Sequence, residues 1–407
     1  MNRLVKWAWI AWCATTAIST AAQQLTTLAT FIYRDGTYPE AAMTQGSDGN
    51  LYGTLTSSRP YGGGTIFKIN PTTGELTVLH RFCTKPNCPD GAEPYAGLVE
   101  ASDGNFYGTT FAGGSGHCNN GVIPGCGTVF RMTPQGKLTT LYSICTLQDC
   151  LDGAQPIGAL VQAEDGKFYG TTSSGGEHNR GTVFVITAQG MLKTLHSFNG
   201  PDGDSPAARD ALVQSTDRNF YGTTAAGGTY NGGTVFRITS RGKLTTLYSF
   251  CAFGPYCADG LDPITGLIQA SNGSFYGVTG DGGLHRGGTI FKISRSGKFN
   301  TVHSFCEVTP NCQDGSLPRG RLTQAIDGYL YGTTTNGGAN GGGTIFRITP
   351  GGRLTTLHSF CGLCGEGTFP WSGLVQASDG LFYGTTAVGG TSYSVGTVFT
   401  FSARSGD

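Results

Sequence analysis

One phrase recurs seven times along this 407-residue chain, so the fold must be built from seven copies of one unit. The copies begin at Leu25, Leu76, Leu138, Leu192, Leu244, Phe299 and Leu354. The clearest copy runs from Leu244-Thr-Thr-Leu-Tyr-Ser-Phe250 through a cysteine loop with Asp259-Gly260 and Pro263. It continues as Gly266-Leu-Ile-Gln-Ala270, Ser274-Phe-Tyr-Gly277 and Gly288-Thr-Ile-Phe-Lys-Ile-Ser294. Each fragment is short, rich in Val, Ile, Thr, Phe and Tyr, and bounded by Gly, Asn, Asp or Pro, which is strand-and-turn chemistry with no helical period. We label the strands A (Gly-Leu-Val-Gln-Ala type), B (Phe-Tyr-Gly-Thr-Thr type), C (Gly-Thr-Val-Phe-Arg-Ile-Thr type) and D (Leu-Thr-Thr-Leu-His-Ser-Phe type).

Four strands in about 50 residues make one blade of a β-propeller. The order of fragments then predicts how the ring closes. A lone D strand, Leu25 to Phe31, precedes the first complete copy, and the last copy supplies only A, B and C, finishing near Ser402. The expectation is a single all-β domain over 23–407, a seven-bladed propeller of four-stranded blades in which the N-terminal strand completes the C-terminal blade. That pairing removes the edges a linear array would expose.

Composition agrees and narrows the function. Glycine numbers 67 and charged residues make up only 13%, which excludes a helical bundle or coiled coil. Lys plus Arg equal Asp plus Glu at 26 each, and no segment concentrates positive charge, so nucleic acid is not an expected partner.

Residues 1–22 read as a secretory signal peptide: Arg3 and Lys6 precede the apolar stretch Trp7 to Ile18, followed by Ser19-Thr20-Ala21-Ala22. The apolar run is too short to span a bilayer, and bulky Ile10-Ala11-Trp12 before Cys13 argues against lipid attachment. A secreted or periplasmic monomer with no membrane span is the expectation. Apart from Cys13, the cysteines fall in close pairs, Cys83/Cys88, Cys118/Cys126, Cys145/Cys150, Cys251/Cys257, Cys306/Cys312 and Cys361/Cys364. In an exported chain these read as local disulfides, each closing a loop worth roughly 2 kcal/mol. Cys361-Gly-Leu-Cys364 has zinc spacing, but a structural site needs four ligands and no second such pair lies nearby in sequence, so no metal and no cofactor are expected.

The recurring Tyr-Gly-Thr-Thr, followed by Gly-Gly and Gly-Thr-Val-Phe, resembles the Gloeo/Verruco (GloVer) tandem-repeat family over nearly all of the mature chain. That resemblance implies an exported bacterial protein of propeller-like repeats and no particular activity. Relatives differ in how they are anchored; here the chain ends at Arg404-Ser-Gly-Asp407 with no sorting or membrane tail, which speaks against surface attachment.

The two faces of such a ring are written differently. A-to-B turns are tight Asp-Gly or Asn-Gly hairpins, whereas D-to-A and B-to-C segments vary in length and hold every cysteine pair. The decorated face is where ligand contact is expected. Just after the loop proline, the copies carry Glu40, Tyr95, Ile157, Ile264, Arg319 and Trp371, with Arg209 and Asp210 in the irregular fourth copy. Trp371 is the only tryptophan outside the leader. The B-to-C loops add His117, His178 and His285. The ligand-binding candidates are therefore Glu40, Tyr95, Arg209, Asp210, Arg319, Trp371, His178 and His285.

Features present in every copy read as structure instead. The strand B tyrosines (Tyr52, Tyr107, Tyr169, Tyr221, Tyr276, Tyr331, Tyr383) are expected between neighbouring sheets with their hydroxyls hydrogen-bonded. The loop acids Asp35, Asp90, Asp152, Asp202, Asp259, Asp314 and Glu366 could offer calcium ligands, but their spacing lacks any Asp-x-Asp-x-Asp loop and they read as turn caps. His80, His196, His303 and His358 share one strand D position with Tyr142 and Tyr248, an interchange that argues for structure.

No Gly-x-Ser-x-Gly elbow, His-Glu-x-x-His or Walker loop is present. The leading expectation is a non-catalytic binding or scaffold module for an extracellular glycan, peptide or protein partner. The alternative is a polysaccharide lyase or glycoside hydrolase whose centre joins Glu40, Tyr95, Arg209, Asp210, Arg319, His178 and His285 at the channel mouth.

Overall fold

The computed structural model describes residues 25–58, 62–118, 123–206, 212–254, 256–308, 310–361, 365–390 and 394–403. The leader, Arg209, Asp210 and Cys364 lie outside them. Twenty-eight strands, β1 to β28 in chain order, form seven antiparallel four-stranded sheets, and no α-helix occurs among the described residues. Blade 1 contains β2 (Thr44–Gln45), β3 (Leu51–Leu55), β4 (Thr65–Ile69) and β5 (Leu76–Arg81). Blades 2 to 6 repeat that A-B-C-D order. In blade 7, β1 (Leu25–Ile32) lies beside β28 (Ser394–Phe401), with Leu25 opposite Phe401 and Ile32 opposite Ser394. The ring is closed as the fragment order predicts.

The register explains the repeated motif. Strands B and C are buried along nearly their whole length, because each blade is covered on both faces by its neighbours. In blade 2, Gly108 of strand B sits opposite Phe130 of strand C. A Cβ on Gly108 would lie 2.6 Å from the Phe130 ring, so glycine is what lets the phenylalanine fold over strand B. Two residues on, Thr110 and Thr128 share a buried hydroxyl–hydroxyl bond of 2.8 Å. The Tyr before the glycine reaches the next blade: Tyr107 stacks on Phe168 with ring centroids 4.0 Å apart, and Tyr169 does the same on Phe220. Such pairs contribute about 0.5–1.5 kcal/mol each beyond area burial.

Strand A is shorter than its sequence implies. Only two residues per blade pair with strand B, for example Val99–Glu100 with Phe106 and Tyr107. Upstream of that pair the A segments of neighbouring blades crowd one another, and a Cβ on Gly97 would lie 2.9 Å from the Ala42 carbonyl oxygen.

Five cystines are formed, Cys83–Cys88, Cys118–Cys126, Cys145–Cys150, Cys251–Cys257 and Cys306–Cys312. They mark a protein of a non-cytoplasmic, oxidising compartment. Among the described residues no helix is long and apolar enough to cross a membrane.

Candidate functional site

Polar groups repeated in all blades are occupied by the fold. On the hairpin face, the strand B tyrosine donates to the acid of its own A-to-B turn: Tyr52 to Asp48 (2.8 Å), Tyr221 to Asp217 (2.7 Å) and Tyr383 to Asp379 (2.6 Å). The same acid accepts a turn N–H, as Asp48 does from Asn50 at 3.0 Å. Burial and the neighbouring carboxylate push Tyr107, Tyr169, Tyr221 and Tyr383 up to about 12. For Asp48, Asp103, Asp165 and Asp217, burial works upward, but hydrogen bonds to the carboxylate outweigh it and hold them below the ordinary value.

A second repeated device ties one blade to the next. The strand A glutamine accepts from the hairpin N–H of the preceding blade: Gln162 from Ser102 (2.8 Å), Gln214 from Glu164 (3.0 Å), Gln324 from Ser271 (2.7 Å) and Gln376 from Ile326 (3.2 Å). Glu100 serves Ser47 through both N–H and hydroxyl, and Gln45 serves Ser378 across the seam. This belt escaped the sequence reading, although Gln or Glu stands at that position in every copy.

On the opposite face, the loop acids cap turns and also meet the strand D side chain. His80 contacts Asp90 at 2.9 Å, His196 contacts Asp202 at 2.8 Å, and His303 contacts Asp314 at 3.1 Å. Tyr142 and Tyr248 donate to Asp152 and Asp259 at 2.9 and 2.8 Å. Asp314 also accepts from the N–H groups of Glu307 and Val308. His and Tyr interchange here because either can donate to a carboxylate.

What differs between copies gathers at the loop-face mouth. The residue before each loop proline has a left-handed backbone: Tyr38, Glu93, Gln155, Ser205, Asp262, Leu317 and Phe369, with φ between 50 and 60°. None is glycine, although this conformation costs an ordinary residue on the order of 1 kcal/mol or more and disfavours a following proline. Inter-blade backbone bonds impose the geometry, as where Glu93 N–H donates to Gly63 and its carbonyl accepts from Phe111.

Of the residues after the proline, Trp371 stacks on Tyr38 across the seam between blades 7 and 1, with centroids 6.0 Å apart and planes 13° from parallel. Tyr38 is 46% exposed. Glu40 is buried, and Tyr95 packs edge-on against Phe111 at 5.4 Å. Arg319 lies beside Asp262, whose carboxyl is raised by burial and by Asp281 while Arg319 pulls it down. Burial likewise raises Glu93.

The histidines stand apart from this group. His178 is exposed. His285 lines an outer cavity of about 490 Å³ with Phe253, Leu284 and strand D residues of blade 5, at the rim. Cystines Cys118–Cys126 and Cys145–Cys150 bring four sulfurs within 4.8 Å of one another, a juxtaposition that spacing did not reveal. While both cystines stay closed, these sulfurs are not thiolate ligands.

Fold and site together define a disulfide-stapled seven-bladed β-propeller whose copies agree on one face and diverge at the mouth of the other. The chain belongs to the Gloeobacter/Verrucomicrobia repeat family, whose model matches residues 14–123, 115–313 and 307–407. No curated protein matches it in sequence. Among solved structures it is similar to the GH74 enzyme of Niastella koreensis (TM-score 0.59, 14% identity, 88% of this chain and 52% of that one). It is also similar to a Bacteroides uniformis protein assigned as a 6-phosphogluconolactonase (TM-score 0.51, 18% identity, 83% and 89%). At these identities the likeness is one of fold.

Proposed function

We propose that this protein is an exported, monomeric, non-catalytic binding module that holds an extracellular glycan at the loop-face mouth of its ring. The observation that carries the reading is the ring of strained positions before the prolines. Seven copies hold seven different non-glycine side chains in a conformation that glycine would adopt freely, a pattern that favours a role for the side chains themselves. The Tyr38–Trp371 pair supports a sugar ligand, since an exposed aromatic face suits the apolar face of a pyranose ring. The recurring loop carboxylates and the strand D histidines are already bonded within their blades, which favours binding over acid–base chemistry.

The test is retention of the purified protein on a panel of immobilised polysaccharides, with new reducing or unsaturated ends assayed in parallel. Retention without cleavage, weakened tenfold or more by Trp371→Ala, is the expected outcome. Asp262, raised by burial and set between Arg319 and Asp281, gives the enzymatic reading its one specific foothold. Cleavage abolished by Arg319→Ala would replace the binding reading with a lyase or hydrolase.

A further inference from the structure

The central channel holds a feature of a different kind from the mouth, on a single blade. In blade 6 the run Arg319-Gly-Arg-Leu-Thr323 alternates between half-buried and buried, so Arg319, Arg321 and Thr323 face the axis at successive depths. At the level of Arg321 the other described copies carry Ala42, Gly97, Ala159, Gly266 and Gly373. Arg321 lines both cavities of the channel, of about 510 and 650 Å³, a size that accommodates small organic ligands. Its guanidinium makes no hydrogen bond or ion pair with any described residue. Among the described lining residues the only other charged one is Glu100, whose two carboxylate oxygens already accept from Ser47.

Below Arg321 the wall carries Val99, Val161, Val213 and Val375, with Thr44 and Thr323 between them whose hydroxyls are spent on the Leu98 and Leu374 carbonyls. At the hairpin end a second exception appears on the same blade. Ile326 is 90% exposed and lines the same cavity as Arg321, where the other copies place Ser47, Ser102, Glu164, Thr216, Ser271 and Ser378. A cation with no partner among the described residues, a wall of valines and an apolar lip describe a receptor for a molecule with one negative end.

We propose that the channel binds a small organic monocarboxylate, its carboxylate forked by Arg321 and its apolar body lying against the valine walls and Ile326. One guanidinium matches one carboxylate in bidentate fashion, whereas a phosphate dianion would meet Glu100 without a second cation to offset it.

Calorimetric titration of the oxidised protein at low salt tests this with octanoate, octylamine and inorganic phosphate as probes. Octanoate should bind saturably at one site, at least tenfold more tightly than octylamine or phosphate. Arg321→Gln should weaken octanoate at least tenfold, and Ile326→Ser a few-fold. Ala159→Phe, which keeps the guanidinium but fills the channel at the same level, should abolish binding and serves as the second variant if Arg321→Gln melts early. Absent octanoate binding, equal binding of octylamine or phosphate, or full affinity in a folded Arg321→Gln protein would each overturn the proposal. Polysaccharide retention reads the mouth and octanoate titration reads the channel, so either idea can fail alone.

Discussion

The hairpin face and the loop face of this ring solve the same problem by opposite means. On the hairpin face every blade uses an Asp or Asn turn with a tyrosine hydroxyl on it, and six of the seven add a Gln or Glu reaching back to the previous blade. On the loop face, cystines, carboxylate–His or carboxylate–Tyr pairs and inter-blade backbone bonds hold the chain, and the exposed side chains are left to differ. The contrast shows that a repeat can afford individuality only where local staples, independent of side-chain identity, fix the backbone. Uniformity belongs to the face that keeps the blades in register.

The strongest way to break the comparison is to remove what both faces depend on, closure of the ring. Deleting Leu25–Ile32 strips the outer strand from blade 7 and exposes the core around buried Phe31, and should prevent cooperative folding. Phe31→Ala alone should cost about 3–5 kcal/mol in denaturant melts. Unchanged melting of either variant would contradict the closed ring.

Reducing the cystines should next separate the faces. Each closed loop contributes roughly 2 kcal/mol, so mild reduction should raise amide exchange in the loop-face turns first while the hairpin amides stay protected. Equal loss of protection on both faces would erase the distinction.

Acid and alkali probe the hairpin face through its own groups. Asp48, Asp103, Asp165 and Asp217 are held below their ordinary value when folded, so their contribution is present above about pH 4 and is lost as pH falls through the folded values. The tyrosines run the other way. Raised to about 12, Tyr107, Tyr169, Tyr221 and Tyr383 stabilise the fold fully below about pH 10 and lose that contribution as pH rises toward 12. Melting temperature against pH should therefore plateau between these limits, and Tyr221→Phe should shrink the alkaline fall while costing about 1–2 kcal/mol at neutrality.

The smallest effects sharpen the picture. His303→Tyr should be nearly neutral, because blades 2 and 4 already use Tyr against the same acid, whereas His303→Ala should cost about 1–3 kcal/mol by leaving Asp314 short of a donor. Arg218 occupies the left-handed turn position that glycine holds in the other hairpins, with φ of 64°. Arg218→Gly should stabilise the fold by about 0.5–1 kcal/mol, read as a small rise in melting temperature.

Much of this architecture was legible because a repeat averages out local noise. Blade number, the strand B tyrosine core, the cystine pairing of five loops and the closure all follow from fragments compared with one another. What stayed hidden spans two blades or breaks the local rule. Gln162 holding Ser102 joins residues 60 apart, and no local pattern announces it. Leu317 before Pro318 adopts a conformation the dipeptide alone disfavours, since the geometry comes from Gly287 and Thr335. Arg321 carries a weaker signal in the repeat than the mouth residues, because its position is Ala or Gly in the other copies and departs from them in one blade alone.

Pairing Leu25 with Phe401 gives the molecule a seam whose two sides are nearly the whole chain apart. Bringing such distant ends together costs about 5 kcal/mol of chain entropy by loop-closure scaling, and nothing repays it until the last blade exists. Blades 1 to 6 can zip as they emerge, so the seam is the final step of assembly and the first place to part. A circular permutant that fuses Phe401 to Leu25 through a short turn, with new ends cut at a hairpin elsewhere, would carry that weak point to a site of choice.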